Sequence, residues 1–376
     1  MRSYGLTAVS EFLGDRVVYR NLVPCDARLP ALAEVRPLVG VPDTVTPRKS
    51  QPAYGRVIAH LLAQARALDG PHAPIERLVY VGDTQLNDGT AFSNVCIAGG
   101  WPGWAFIGAD RSSPPQIEIA AQDGGQLFVA NRWQAIGDFV DHLAREGYAV
   151  DERTAVIIDL DKTALGARGR NDHVINRARV AAVRQTVEEL LGGAFDAARF
   201  QTAYDVLNEP EFHSFTADNQ DYLAYICLIL GSGLYDLQLV VADVRTGRMK
   251  TFEQFLGEVD DRSGQLALEL RSIHDQILEL VRAGDPTPFK DFRYNEYLAT
   301  VERMGCTEDS APLAEMLEHE IVITQEVRQV ALAWQVQGAL LFGLSDKPDE
   351  ASVPSERLAA QGYAAIHHAE THAVGG

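Results

Sequence analysis

The stretch Val156-Ile157-Ile158-Asp159-Leu160-Asp161-Lys162-Thr163 constrains the fold more than any other, because it sets two carboxylates and a hydroxyl at the end of an apolar run. Unbroken β-branched residues without alternation suit a parallel strand covered on both faces. Ligands of open α/β folds bind at the C-terminal edge of such a sheet. Asp159 and Asp161 therefore stand at that edge, one residue apart, with Thr163 in the turn beyond. Neighbouring carboxylates repel unless a cation or a shared proton intervenes, so the octet suggests a bound metal ion. A strand running into an Asp-rich turn, with Thr163 capping a helix, fits the same eight residues.

Two further segments end in the same way, and a lysine at a helix start accompanies them. Leu78 to Val81 is an apolar strand that runs into Gly82-Asp83 and reaches another acid at Asp88. A carboxylate at the end of a buried strand is costly unless it has a partner. Lys49 lies in a loop just before a helix whose Val57, Ile58, Leu61 and Leu62 recur at helical spacing. Ala339 to Leu344 is a third apolar strand, and it delivers Ser345 followed by Asp346-Lys347-Pro348.

Four apolar residues followed by Asp-x-Asp-x-Thr resemble the first motif of the haloacid dehalogenase superfamily, whose members are mostly Mg²⁺-dependent phosphatases. The segment from Lys49 to Asp88 resembles that family's lysine and Gly-Asp unit, with the second acid five residues after Asp83 where four is commoner. The resemblance implies that Asp159 is a nucleophile and Asp161 a general acid/base. It implies that Mg²⁺ binds Asp159, Asp83 and the main-chain carbonyl of Asp161, with Asp88 binding the ion or orienting its shell. Lys49, Ser345 and Thr163 are the residues expected to meet the phosphate, with Arg48 and Lys347 as rivals of Lys49. The family order of motifs is rotated here, since Lys49 and Asp83 come first, Asp159 next and Ser345 last. A circular permutation, joined through a helix from Trp133 to Gly147, would produce this order. The implied activity is hydrolysis of a small-molecule phosphate monoester. A phosphotransferase, a non-catalytic binding relative, or an acidic helical adaptor fused to an unrelated α/β domain are the alternatives.

With 376 residues, 46% of them hydrophobic, the chain is long enough for two domains with separate cores. The expected fold is α/β: a doubly wound, Rossmann-like, mostly parallel sheet with a large, mainly helical cap. Residues 1–163 and 339–376 form the core domain in this reading, with Asn94-Val95-Cys96-Ile97-Ala98, Trp104 to Gly108 and Gln126 to Ala130 as further strands. Residues 164–338 form the cap, placed as the family's C1 cap is. Its helices are expected from Val174 to Leu191, Phe200 to Leu207, Tyr222 to Leu230, Leu266 to Val281, Tyr294 to Met304 and Leu313 to Leu341. One β-hairpin is expected over 237–252. Arg168, Arg170 and Asn171 are candidates to reach a charged substrate, and His173 and His213 are weaker ones.

A net charge of −19 offers no attractive field to nucleic acid or to an anionic membrane, which leaves small-molecule chemistry. Cys25, Cys96, Cys227 and Cys306 form no CxxC pair, so neither a disulfide framework nor a zinc ribbon is indicated, and a cytoplasmic setting is expected. His367, His368 and His372 crowd the C-terminal segment. On a surface strand the first two would point to opposite faces and could not share one ion.

Overall fold

The computed structural model describes residues 1–42, 46–69, 73–217 and 219–376. Among these, seven strands form one sheet in the order β2-β9-β7-β3-β4-β6-β5. They are β2 (Val17–Val18), β3 (Arg77–Gly82), β4 (Gly103–Gly108), β5 (Ile117–Gln122), β6 (Gly125–Ala130), β7 (Thr154–Asp159) and β9 (Leu340–Leu344). Every pairing is parallel except β5 with β6. β3, β4, β7 and β9 are apolar on both sides because both sides are covered. Leu78, Tyr80, Ala105, Ile107, Ala155, Ile157, Leu340 and Phe342 pack with residues of the helices Pro52–Leu68 and Thr90–Gly99. From the alternate positions, the rings of Phe106 and Phe128 lie 5.7 and 5.4 Å from that of Phe139 in the helix Ile136–Arg145.

A smaller sheet has β10 (Thr371–Gly375) between β1 (Arg2–Thr7) and β8 (Ile323–Thr324). β1 runs antiparallel to β10 with Arg2 opposite Gly375, and β8 runs parallel to it.

The chain divides into two compact units, Met1–Arg177 with Thr300–Gly376, and Ala178–Ala299. It leaves the first within the helix Asp172–Leu191 and returns within Lys290–Val301. The boundaries thus fall inside those expected at 164 and 338. The reason is local: Gly166 N–H donates to Val322, Thr324 N–H donates to Ala164, and Asn171 holds the main chain of Leu317, Glu320 and Val322. These bonds join 164–171 to 317–324, and both segments belong to the sheet-bearing unit. The second unit is helical, with a core that includes Phe215, Tyr225, Phe252, Phe255 and Phe292. Within it the Arg293 guanidinium joins Asp221 to Glu296. A buried arginine needs two such acids to offset its lost hydration.

Three expected elements are corrected. Residues 94–98 belong to the helix Thr90–Gly99, where Phe92, Val95 and Cys96 recur at helical rather than alternating spacing. No hairpin spans 237–252; Leu237–Arg245 and Phe252–Asp260 are helices. Asp236 caps the first through Gln238 N–H, and Thr251 with Gln254 forms a capping box for the second. The helix expected over 313–341 is broken into Leu313–His319, β8, Gln325–Val336 and then β9.

Gly55 governs the approach of the two helices nearest the site. A Cβ there would stand 2.2 Å from the carbonyl oxygen of Asn94, so any side chain forces Pro52–Leu68 away from Thr90–Gly99. Gly55→Ala is expected to destabilise the protein by about 1–3 kcal/mol. Denaturant unfolding should read this as a lowered midpoint with an unchanged slope.

Candidate metal and phosphate site

β9, β7 and β3 are neighbours in the sheet, so the residues at their C-terminal ends share one edge. Asp159 ends β7 opposite Leu344, the residue before Ser345. Asp83 follows Gly82, the last residue of β3, and Val81 is paired with Ile158. Three tips that are far apart in sequence are therefore brought side by side by strand register.

Asp88 reaches the same place through a wide turn, Gln85–Gly89, in which both Asp88 and Gly89 N–H groups donate to the carbonyl of Thr84. Its Oδ2 accepts from Asp83 N–H and Thr84 N–H, both at 3.0 Å, and from the Thr84 hydroxyl at 3.1 Å. The carboxylate lies so close under β3 that a Cβ on Gly82 would come within 2.5 Å of the Asp88 Cβ. Glycine is required before Asp83 for that reason.

Lys49 closes the cluster. Its Nζ lies 2.8 Å from Asp88 Oδ1 and 2.6 Å from Asp159 Oδ1, and all three residues are buried. Tyr80 donates its hydroxyl to the same Asp88 oxygen at 3.2 Å. The main-chain carbonyl of Lys49 accepts from Asn94 Nδ2, which fixes the loop on the helix behind it. Asp83 is held by the Arg168 guanidinium. One carboxylate oxygen from each of Asp83, Asp88 and Asp159 lies within 4.8 Å of the others, a spacing that can hold a metal ion.

The electrostatics reflect this crowding. Burial pushes the Asp159 carboxyl well above its usual range; Lys49 opposes the shift, and Asp88 and Asp83 reinforce it. Burial and then the Asp88 charge raise Asp83 to about 7, against the pull of Arg168. Asp88 is also pushed up by burial, but Lys49 and its hydrogen-bond donors outweigh that and bring it down to about 2. Burial works against the Lys49 ammonium, and the charges of Asp159 and Asp88 more than compensate, so it stays protonated.

The remaining sequence candidates are distributed as follows. Asp161 is half-buried and stands outside the group of three carboxylates. Beyond it Lys162 takes a left-handed φ of 66°, which turns the chain sharply. Thr163 is fully enclosed, and its hydroxyl has no hydrogen-bond partner among the described residues. Ser345 is buried and its Oγ accepts from Lys347 N–H at 3.0 Å. Lys347 directs its ammonium to the Thr300 hydroxyl, 3.3 Å away, and Arg48 N–H donates to Gln51, while Lys49 contacts Asp88 and Asp159 directly. The Arg170 guanidinium, its side chain 2% exposed, is held between Asp110 and Glu326. Asn171 is likewise enclosed. His173 faces Glu318 within the sheet-bearing unit, and His213 faces the carbonyl of Asn208 in the helical one. Sequence reasoning missed Tyr80 and Asn94 as supports of the cluster and did not foresee Arg168 as the partner of Asp83.

No family model, curated protein or solved structure matches this chain. Among the described residues, no helix is long and apolar enough to cross a membrane.

The raised Asp83 carboxyl has a stability consequence. Below its ordinary value of 3.8 both the folded and unfolded states carry its proton, and between 3.8 and about 7 only the folded state does. Stability therefore falls as pH rises through that window and levels off above it. The metal-free protein is expected to lose about 1–3 kcal/mol between pH 5 and pH 8 on this account. Asp83→Asn should make the decline shallower, as read by denaturant midpoints across the pH series.

Proposed function

We propose that this protein is a Mg²⁺-dependent hydrolase of a small-molecule phosphate monoester, and that it is a circularly permuted relative of the haloacid dehalogenase superfamily. The observation that carries the reading is the meeting of Lys49 with Asp88 and Asp159, beside Asp83, at the C-terminal edge of a parallel sheet. The reading is supported by the strand order β9-β7-β3, which sets Ser345 and Asp83 on either side of Asp159 at one edge of the sheet. The wide turn at Gln85–Gly89 accommodates the additional residue between Asp83 and Asp88.

An all-oxygen donor set with crowded negative charge suits a hard divalent cation. Asp83, Asp159 and the main-chain carbonyl of Asp161 would hold it. Asp88 already accepts from Lys49, Tyr80, Asp83 and Thr84, and serves as the anchor of Lys49 and the turn. When bound, the ion offsets the charge of the phosphate and of the carboxylate that approaches it.

The chain's own residues carry the rest. Lys49 keeps Asp159 oriented and presents positive charge to the phosphoryl oxygens, and the Ser345 hydroxyl donates to one of them. Asp159 attacks phosphorus in line; its new O–P bond forms as the bond to the leaving oxygen breaks, and Asp161 gives that oxygen its proton. Asp161, now a carboxylate, takes a proton from water, which attacks phosphorus, releases inorganic phosphate and restores Asp159. Arg168 would give up Asp83 when the cation binds.

Hydrolysis of p-nitrophenyl phosphate with Mg²⁺ tests the reading. Asp159→Asn should abolish turnover, a loss of at least about 10⁴-fold, and Lys49→Ala should lower kcat by about 10²–10³-fold. Lys347→Ala should stay within a fewfold of wild type. Inert wild-type protein across a panel of phosphate monoesters, with Mg²⁺ present, would sink the proposal.

A further inference from the structure

The C-terminal histidines form a cluster of their own, distinct in chemistry from the carboxylate site. His367 and His368 lie on a single 3-10 turn, Ile366–His368, and not on a strand as the sequence suggests. Successive side chains on such a turn diverge by about 120° instead of the 180° of a strand, so both can reach one side. Their rings are 4.2 Å apart between centroids. Both face Asp15, which precedes β2: its Oδ1 is 2.7 Å from His368 Nε2 and 3.6 Å from His367 Nε2. His372, by contrast, is buried in β10 with both ring nitrogens on acids, Glu320 and Asp309.

His367 carries the argument. Its side chain is 1% exposed, yet Nε2 has no hydrogen-bond partner among the described residues. On the other side of the ring, Nδ1 lies 3.0 Å from the Tyr19 hydroxyl. In the tautomer that donates Nδ1–H to Tyr19, the Nε2 lone pair is turned toward the Asp15 carboxylate oxygen 3.6 Å away, so two acceptors face each other. A cation reconciles that arrangement, and a second-shell partner on the far nitrogen is the usual way to orient a ligating imidazole.

We propose that Asp15, His367 and His368 form a binding site for a zinc-class divalent ion, joining the segment before β10 to the loop before β2. Two imidazoles and one carboxylate select zinc and its borderline neighbours over Mg²⁺. Bonds of roughly 2.05 Å in a tetrahedron set ligand atoms about 3.3 Å apart, and the two observed nitrogen–oxygen separations lie on either side of that length. Three protein ligands leave the fourth position to water. Asp15 and His368, with side chains 56% and 39% exposed, provide the route of entry.

Calorimetric titration of the untagged, metal-stripped full chain with Zn²⁺, in excess Mg²⁺, tests this site. One tight site is expected in wild type, weakened at least about tenfold by His368→Ala and by Asp15→Asn. Both substitutions fall at exposed positions and should leave the far-UV circular dichroism unchanged. X-ray absorption of the zinc-loaded protein should report imidazole scattering. Asp83→Asn should retain the tight site, which separates it from the carboxylate cluster. Absence of tight binding in wild type, binding lost in Asp83→Asn but kept in His368→Ala, or a zinc shell without imidazole would each overturn the proposal.

Discussion

One ammonium group between two buried carboxylates organises the edge of the sheet. Removing charges from water costs several kcal/mol per ion, and close opposite charges recover that only when the geometry is good. Lys49 meets the requirement by touching Asp88 and Asp159 at once. The position of the ammonium is in turn fixed by its loop, which is tied through Asn94 to the helix Thr90–Gly99, and by the following helix, which Gly55 lets approach the same element. A substitution far from the acids can thus act on them by moving the lysine. Arg168 plays the corresponding part for Asp83 from the opposite side.

The negative charge in this cluster exceeds what Lys49 and Arg168 relieve, and the raised Asp83 and Asp159 carboxyls express the excess. Such a site is poised: a proton, a cation or a basic side chain can satisfy it, each with a different consequence for the two acids. Asp88 is exempt because five donors already surround it. Two carboxylates only five residues apart in sequence therefore do opposite work, one anchoring the turn and the other open to exchange its partner.

The central strands were legible in the sequence because a parallel strand buried on both faces is written as an unbroken apolar run, as at Val156–Ile158 and Leu78–Val81. The acids were legible because a carboxylate next to such a run has few inexpensive resting places. Asn94–Ala98 misled because five residues cannot distinguish a strand from one and a half turns of a buried helix. The stretch from Leu237 to Val244 misled for a related reason: its β-branched residues suit a strand, but Asp236 and the burial of Val240 and Val241 along one helical face decide otherwise. Arg170 shows a different limit. Its charge suggested solvent or substrate, and only the fold supplies the two acids, one 156 residues away, that hold it indoors. The Asp15–His367 neighbourhood could not be inferred from spacing, since a tight turn rather than an extended strand decides where adjacent histidines point.

The ladder between β1 and β10 also governs how the molecule would respond to tension. Arg2 and Gly375 are opposite one another in an antiparallel pair, so a load applied at these two residues acts on the same end of the ladder. Its rungs would be opened one after another, as in a zipper, instead of being sheared together. The small sheet should accordingly peel at low force while the parallel sheet, whose strands are not loaded directly, keeps its register.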